Sequence, residues 1–571
     1  MTVSGIPGAE AHTAKISEYL FTRLHQLGVR SIFGVPGDYN LRLLDFVEPA
    51  GLHWVGNCNE LNAAYAADGY ARVNGFSALI TTFGVGELSA INGIAGAFAE
   101  KAPVIHIVGT PARSAQYSRS LLHHTLADGD YRHFASIASH VTRAQANLLD
   151  PRTIPEQIDA ALRQAIVHSQ PVYIEVPEDV VDVHVVSSGL NAPLIVPESP
   201  HSWNEPTLSV LNRMYSTKRP LILVDGECRA LSITREVNEL VVKTGWPTWS
   251  TVFGKSIIDE TLPNYYGNYI GSLGSEVYKT YFETADLIIS LGPHHTDTNT
   301  GSFSMIPANP VSVSLSRNVV RVGNEIHRDV SSSFLSMLLQ NLDTKRVPKV
   351  EGPPRSIAAS DQIEHDPKGP LVQKSFWRFV NRLFRPGDLI LTETGTSSHG
   401  GRHFELPTGA RLFGAVTWLS IGYMLPATLG AALAKSEVDK DNRAILFIGD
   451  GSIQMSVQEI STMIKENLDI IIFIINNGGY TIERAIHGRN QGYNDVAPWR
   501  HSLVLQFFGA NEKLATENNF TARNYNELDT ILSDDRIQKR KGLRVIEIFM
   551  GREDVQGALV DLLNTQIAKE K

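Results

Sequence analysis

Two apolar segments each end in a short run of glycines and oxygen-bearing side chains. Ile445-Leu446-Phe447-Ile448 leads into Gly449-Asp450-Gly451-Ser452. After a stretch of helical periodicity over Val457–Lys465, the segment Ile470–Ile475 leads into Asn476-Asn477-Gly478-Gly479-Tyr480. Strand, crossover helix and strand make up the unit of a parallel sheet, so both runs fall on its carboxyl-terminal edge, where open α/β sheets bind their ligands. There the Asp450 carboxylate, the Asn477 amide and the Gly479 carbonyl are oxygen donors suited to a hard cation such as Mg²⁺. Gly451 lets backbone amides approach phosphate oxygens, and Ser452 opens the helix that follows, whose positive end adds to anion binding. The expected guest is a diphosphate held through a metal. Either dipeptide alone, Asp450-Gly451 or Asn477-Gly478, reads equally as turn chemistry between strands.

The elements that must position these groups repeat along the whole chain. Apolar strand candidates fall at Ser31–Val35, Ala78–Thr82, Val104–Val108 and Val172–Val176, then at Leu221–Val224, Leu287–Leu291 and Val311–Leu315. A last set falls at Leu389–Leu391, Ala444–Ile448, Ile470–Ile475 and Arg544–Phe549. Helical periodicity lies between them, opening with Ile16, Leu20, Leu24 and Leu27 on one face. At 571 residues the chain exceeds a single hydrophobic core. Two stretches interrupt the alternation, Ser188–Pro206 and Lys345–Pro370, and both read as linkers. Three α/β domains follow, over residues 1–190, 205–345 and 371–571, with a linker over 346–370.

Composition narrows the partners. The formal net charge of -9 offers no basic footprint for nucleic acid or an anionic membrane, and no apolar run approaches a membrane span. Two cysteines, Cys58 and Cys228, make neither a disulfide framework nor a thiolate metal cage. A cytoplasmic protein acting on a small molecule is the expectation.

Further runs carry a resemblance. Gly34-Val35-Pro36-Gly37-Asp38, Asn59-Glu60-Leu61-Asn62-Ala63-Ala64, Thr82-Phe83-Gly84-Val85-Gly86-Glu87, Leu121-Leu122-His123-His124-Thr125-Leu126, Glu393-Thr394-Gly395-Thr396-Ser397 and Tyr480-Thr481-Ile482-Glu483 together resemble the thiamine-diphosphate-dependent 2-oxo acid decarboxylases, in the fungal pyruvate decarboxylase branch. The resemblance covers nearly the whole chain. It implies three flavodoxin-like, doubly wound domains: pyrimidine-binding, central and diphosphate-binding. It also implies thiamine diphosphate and Mg²⁺ as cofactors, and a homodimer or homotetramer with each active site shared between two subunits. The implied reaction is non-oxidative decarboxylation of a 2-oxo acid, pyruvate foremost, to an aldehyde and carbon dioxide, with the cofactor's thiazolium ring as electron sink.

Roles carried over by the resemblance are specific. Glu60 hydrogen-bonds the cofactor's aminopyrimidine, a task served by a raised pKa, which burial against Leu61 and Ala64 supplies. Ile421 props the cofactor in a bent conformation. Asp38, His123, His124 and Glu483 supply the proton transfers, and the flanking leucines predict a partly buried histidine pair. Asp38, His124, Thr298, Thr394 and Glu483 line the substrate site. Glu60, Thr396, Leu419, Ser420, Ile421, Gly451, Ser452, Asn477, Gly478, Gly479, Tyr480, Thr481 and Ile482 contact the cofactor, with Asp450, Asn477 and Gly479 on the metal.

The chain also departs from the family. Leu419 stands where a glycine is usual, Gly478 where an acid is usual, and His399 where an aromatic hydrocarbon is common. Glu227 stands where yeast-type enzymes carry a cysteine linked to substrate activation. Thr298 replaces a phenylalanine typical of pyruvate-specific enzymes, while Ile482 and Ile486 keep the bulky aliphatics, so a partly widened pocket is expected. A phenylpyruvate, indolepyruvate or broad-range decarboxylase, a carboligase and a non-catalytic paralogue are the competing readings. The adjacent histidines speak against the carboligase, and intact Glu60, His123, His124 and Glu483 speak against the paralogue.

Overall fold

A computed structural model describes residues 12–194, 204–330, 333–355, 365–439, 443–539 and 541–570. By compactness the chain divides into two units, residues 1–197 with 426–441, and residues 198–425 with 442–571.

In the first unit six parallel strands lie in the order His53–Gly56, Ser31–Gly34, Ser77–Thr82, Val104–Thr110, Val172–Pro177 and Gln145–Asn147. The inner strands are buried along their whole length, so they read as continuous apolar runs rather than alternating ones. Helix Ile16–Gln26 contributes Ile16, Leu20 and Leu24 to a core shared with Ile158 and Leu162 of helix Ile154–His168. Leu27, expected on the same face, is the cap residue just beyond the helix. The alanine-rich helix Glu60–Asn74 starts at an Asn59 cap, whose side chain accepts the Asn62 N–H at 2.8 Å. Its small residues admit a close neighbour: a Cβ on Gly69 would lie 2.1 Å from the Ala427 carbonyl oxygen, and one on Gly430 1.8 Å from that of Ala66. Both partners belong to this unit. Glu437, also in it, accepts the hydroxyls of Ser31 and Tyr70, each at 2.6 Å.

The second unit holds two sheets. Seven strands run Tyr265–Asn268, Thr248–Ser250, Pro220–Val224, Leu287–Leu291, Ser312–Ser316, Asn318–Val322 and Glu325–Val330. The first five are parallel; Asn318–Val322 runs antiparallel to both its neighbours and is joined to Glu325–Val330 by a hairpin at Gly323-Asn324. The other sheet is wholly parallel, in the order Arg411–Gly414, Leu389–Thr392, Ala444–Gly449, Ile470–Asn476, Leu543–Phe549 and Asn519–Ala522. Numbered along the chain, its strand order is 2-1-3-4-6-5, the same as in the first unit. In both, the order reverses beside the first strand, which creates a crevice at the carboxyl ends of strands 1 and 3.

Of the stretch read as the first linker, Ser188–Asn191 is a 3₁₀ turn and helix Asn204–Ser216 begins before its end, while residues 195–203 lie outside the described set. Within the second linker, residues 356–364 also lie outside it. No helix among the described residues is long and apolar enough to cross a membrane. Cys58 is exposed and Cys228 buried, and neither is in a disulfide.

Candidate active site

Strand Ala444–Gly449 ends directly at Asp450, and strand Ile470–Asn476 at Asn477, adjacent in the sheet with Gly449 opposite Ile475. The Asp450 carboxylate is buried and organises both turns: Oδ1 accepts the Gly451 N–H at 2.9 Å, and Oδ2 accepts those of Gly478 and Gly479 at 2.9 and 3.1 Å. Burial raises its pKa, against the lowering effect of these amides. One atom of the Asn477 amide lies 3.2 Å from Asp450 Oδ1 and 2.8 Å from the Gly479 carbonyl, and its other atom 2.9 Å from the Thr481 hydroxyl. As a nitrogen, the first atom donates to both neighbours. As an oxygen, it completes a set of three converging oxygens from carboxylate, amide and carbonyl, the donor set of a hard cation. The residues therefore fit a divalent metal.

These groups open onto a cavity of about 430 Å³. Its wall takes in Thr298, Thr394, Thr396, Leu419, Ile421, Asp450, Gly451, Ser452, Asn477, Gly479, Tyr480, Thr481, Ile482 and Glu483. Ser420 and Gly478 are not among the lining residues; the Gly478 N–H is turned to Asp450 and its carbonyl accepts from Arg484 at 2.8 Å. The glycine freedom is used at Gly451, where a Cβ would meet the Tyr480 ring at 2.6 Å. One expectation is corrected. The helix opened by Ser452 is a single turn, Asp450–Ile453, and the crossover helix proper starts at Glu459, so the helix dipole adds little and any anion here is held by individual N–H and O–H groups.

Sequence reading missed part of this wall. Val252, Ser397, Ser398, Arg402, Ala415 and Val416 also face the cavity. The spacing Ser398, Arg402 after Glu393-Thr394-Gly395-Thr396 is one helical turn and was the available signal. Two buried atoms on this wall, Ser397 Oγ and Arg402 Nε, have no hydrogen-bond partner, which is what a wall built for a polar guest looks like. Burial, helped by the charge of Arg402, pushes the pKa of His399 down to about 4, so this ring faces the cavity uncharged. The Thr298 hydroxyl donates to the Val416 carbonyl. Leu419 adopts φ +52°, the left-handed conformation that explains why glycine suits this position.

The remaining candidates cluster in the first unit, at the carboxyl edge of its sheet. Asp38 follows strand Ser31–Gly34, and Glu60 follows His53–Gly56 as the first residue of its helix. Burial raises the Glu60 pKa, as a proton-exchanging carboxyl requires. His123 Nε2 lies 3.1 Å from Asp38 Oδ2, and its ring stacks on Tyr39 with centroids 4.9 Å apart. His124 takes φ +66°, and its carbonyl packs where a Gly84 Cβ would stand, 2.2 Å away. The expected partly buried pair holds only for His124, whose Nδ1 is buried and unpartnered. The side chain of His123 is 55% exposed, because Leu121 and Leu126 face outward at 67% and 60% and Tyr39 covers one ring face only.

The thiamine pyrophosphate enzyme family models for the N-terminal TPP binding domain, the central domain and the C-terminal TPP binding domain match residues 14–133, 209–333 and 393–548. Over its length the chain is similar to proteins named pyruvate decarboxylase. That of Aspergillus parasiticus is 48% identical, covering 98% of this chain and 99% of the relative. Those of Candida glabrata and of Saccharomyces cerevisiae (isozyme 1) are each 40% identical, covering 96% of this chain and 97% of the relative. The chain belongs to the thiamine-diphosphate-dependent 2-oxo acid decarboxylases.

Proposed function

We propose that the protein converts pyruvate to acetaldehyde and carbon dioxide, using thiamine diphosphate held through Mg²⁺. The observation that carries this reading is the convergence of the Asp450 carboxylate, the Asn477 amide and the Gly479 carbonyl at the cavity, in a chain whose relatives carry the name pyruvate decarboxylase over nearly their full length. Those three residues hold the metal. Ser452 and Thr396 offer hydroxyls, and Gly451 an approachable backbone, to the diphosphate. Leu419 and Ile421 press on the cofactor's ring system, orienting it rather than reacting. When bound, the cofactor supplies an electron sink for the carboxylate's bonding pair. Glu60 exchanges a proton with the cofactor's aminopyrimidine. Glu483 stands at the leaving carboxylate, and Asp38, His123 and His124 deliver protons as the aldehyde forms.

A homodimer is the minimal active species in this reading, one chain's Glu60, Asp38 and histidines serving the cavity of another. The exposure of His123 and Asp38 in the single chain, beside exposed Tyr117, Leu121 and Leu126, supports a covering partner. A wider substrate range than pyruvate is favoured by Thr298 in the wall.

The test is direct. Purified protein stripped by chelation and dialysis should release no carbon dioxide from pyruvate, and thiamine diphosphate with Mg²⁺ should restore release with stoichiometric acetaldehyde. Protein shown to bind both ligands yet inert toward pyruvate and longer 2-oxo acids would defeat the assignment.

A further inference from the structure

Glu393 lies immediately beyond strand Leu389–Thr392 and is completely buried. No cation pairs with it among the described residues; its partners are backbone amides and the Thr394 side chain. Oε1 accepts the N–H of Thr394 at 2.9 Å, Oε2 that of Met424 at 2.9 Å, and the Gly422 amide also bonds to the carboxylate. The two sides of this clamp adjoin two of the segments that wall the cavity, Thr394–Thr396 and Leu419–Ile421.

The second segment needs holding. Leu419 sits at φ +52° and Gly422 at φ +89°. A leucine in the left-handed region costs about 1–2 kcal/mol and persists only where its surroundings over-determine it. One restraint is the Ser456 hydroxyl, which donates to the Gly422 carbonyl at 2.6 Å. Another is Glu393. Without its carboxylate the buried Gly422 and Met424 amides would lose this acceptor. A glutamine could not replace it, since only one of its side-chain atoms accepts, whereas the bonds reach both oxygens of the carboxylate.

We propose that Glu393 is a positioning residue: its buried carboxylate fixes the spacing of the Thr394–Thr396 and Leu419–Ile421 walls and thereby the orientation of the bound cofactor. This rests on the thiamine-dependent reading of the cavity. Glu393 touches no reacting atom. It acts through Leu419 and Ile421, where a displacement of about 1 Å is enough to lower turnover by up to two orders of magnitude.

The experiment is a double-mutant cycle between Glu393→Gln and Leu419→Gly, read by thermal unfolding of the apoprotein, by the dissociation constant for thiamine diphosphate with Mg²⁺ from tryptophan fluorescence, and by kcat and KM for pyruvate. Glu393→Gln should bind the cofactor at least about tenfold more weakly and lose about tenfold or more in kcat, with KM for pyruvate nearly constant. In the Leu419→Gly background, where the strained leucine is gone, the same substitution should have a several-fold smaller effect on both. If Glu393→Gln does not accumulate as folded protein, Glu393→Asp, which keeps the carboxyl group and shortens its reach, takes its place in the cycle. Equal effects in the two backgrounds, or wild-type cofactor affinity and kcat in the variant, would overturn the proposal. Altered cofactor affinity in a wild type inert toward pyruvate would preserve the positioning role and sink the decarboxylase reading instead.

Discussion

Asp450→Asn separates metal chemistry from folding. Asparagine keeps the shape and one oxygen. Placed at the Oδ2 position, that oxygen still accepts from Gly478 and Gly479, while the amide nitrogen confronts the Gly451 N–H. One buried hydrogen bond is lost, worth roughly 1–3 kcal/mol. Against this, a carboxylate whose burial disfavours its charge is removed. The two contributions oppose each other, so the apoprotein should change by no more than about 1–2 kcal/mol. The loaded protein differs, because the only charged ligand of the three-oxygen set is gone. At ligand concentrations about 100 times the wild-type dissociation constant, binding adds roughly 2.7 kcal/mol, and a hundredfold loss of affinity leaves about 0.4 kcal/mol. For a cooperative unit of about 200 residues these correspond to Tm rises of roughly 5–11 °C and 1–2 °C. Thermal unfolding of both proteins, with and without thiamine diphosphate and Mg²⁺, measures the difference. A ligand-induced rise in Asp450→Asn equal to that of wild type would refute the metal assignment.

Glu60→Gln should sharply slow exchange of the cofactor's C2 proton, while Glu483→Gln leaves that exchange nearly intact and depresses aldehyde release; wild-type exchange in both would undo this division of labour. Thr298→Phe should cut kcat/KM for 2-oxohexanoate and phenylpyruvate about tenfold or more relative to pyruvate, since a pocket discriminates by about 1–3 kcal/mol per methylene, and an unchanged ratio would mean that this position does not set substrate size. His399→Phe concerns acid stability: the unfolded imidazole takes its proton near pH 6.5 and the folded one only at about 4, so wild type loses up to about 1.4 kcal/mol per pH unit across that window. The variant's Tm should fall less steeply from pH 6.5 to 5, and identical slopes would show that His399 is not the group excluded from protonation. Gly430→Ala drives a Cβ into the Ala66 carbonyl and should lower the denaturant midpoint by the equivalent of about 2 kcal/mol or more; an unchanged midpoint would mean that the two helices are not packed backbone to backbone.

Legibility in the sequence followed burial. Ile470–Asn476 and Ala444–Gly449, enclosed on both faces, present unbroken apolar runs, and their ends deliver Asp450 and Asn477 to one edge. Strands His53–Gly56, Gln145–Asn147 and Asn519–Ala522 escaped because each is three or four residues long and lies at a sheet edge, or close to one, where half its surroundings need not be apolar. The hairpin joining Asn318–Val322 to Glu325–Val330 also went unread, although Gly323-Asn324, a two-residue turn that a glycine at φ +62° supports, was its available signal. In the site, residue types at strand ends were readable, and the resemblance supplied their roles. What could not be read was conformation. The left-handed Leu419 and the clamp at Glu393 depend on contacts between segments some 30 residues apart, and the exposure of His123 depends on where Leu121 and Leu126 turn.

The close packing of Gly69 on Ala427 and Gly430 on Ala66 has a bearing on biosynthesis. Residues 426–441 complete a unit whose other residues end at 197. As the chain leaves the ribosome, the first six-stranded sheet can assemble, but the helix Glu60–Asn74 must wait for its partner through roughly 230 further residues, about 10–50 s at ordinary elongation rates. During that interval an alanine- and glycine-lined surface stands open on a nearly finished domain. A truncation ending after the middle sheet would leave that surface uncovered, and is a poor candidate for a stable fragment.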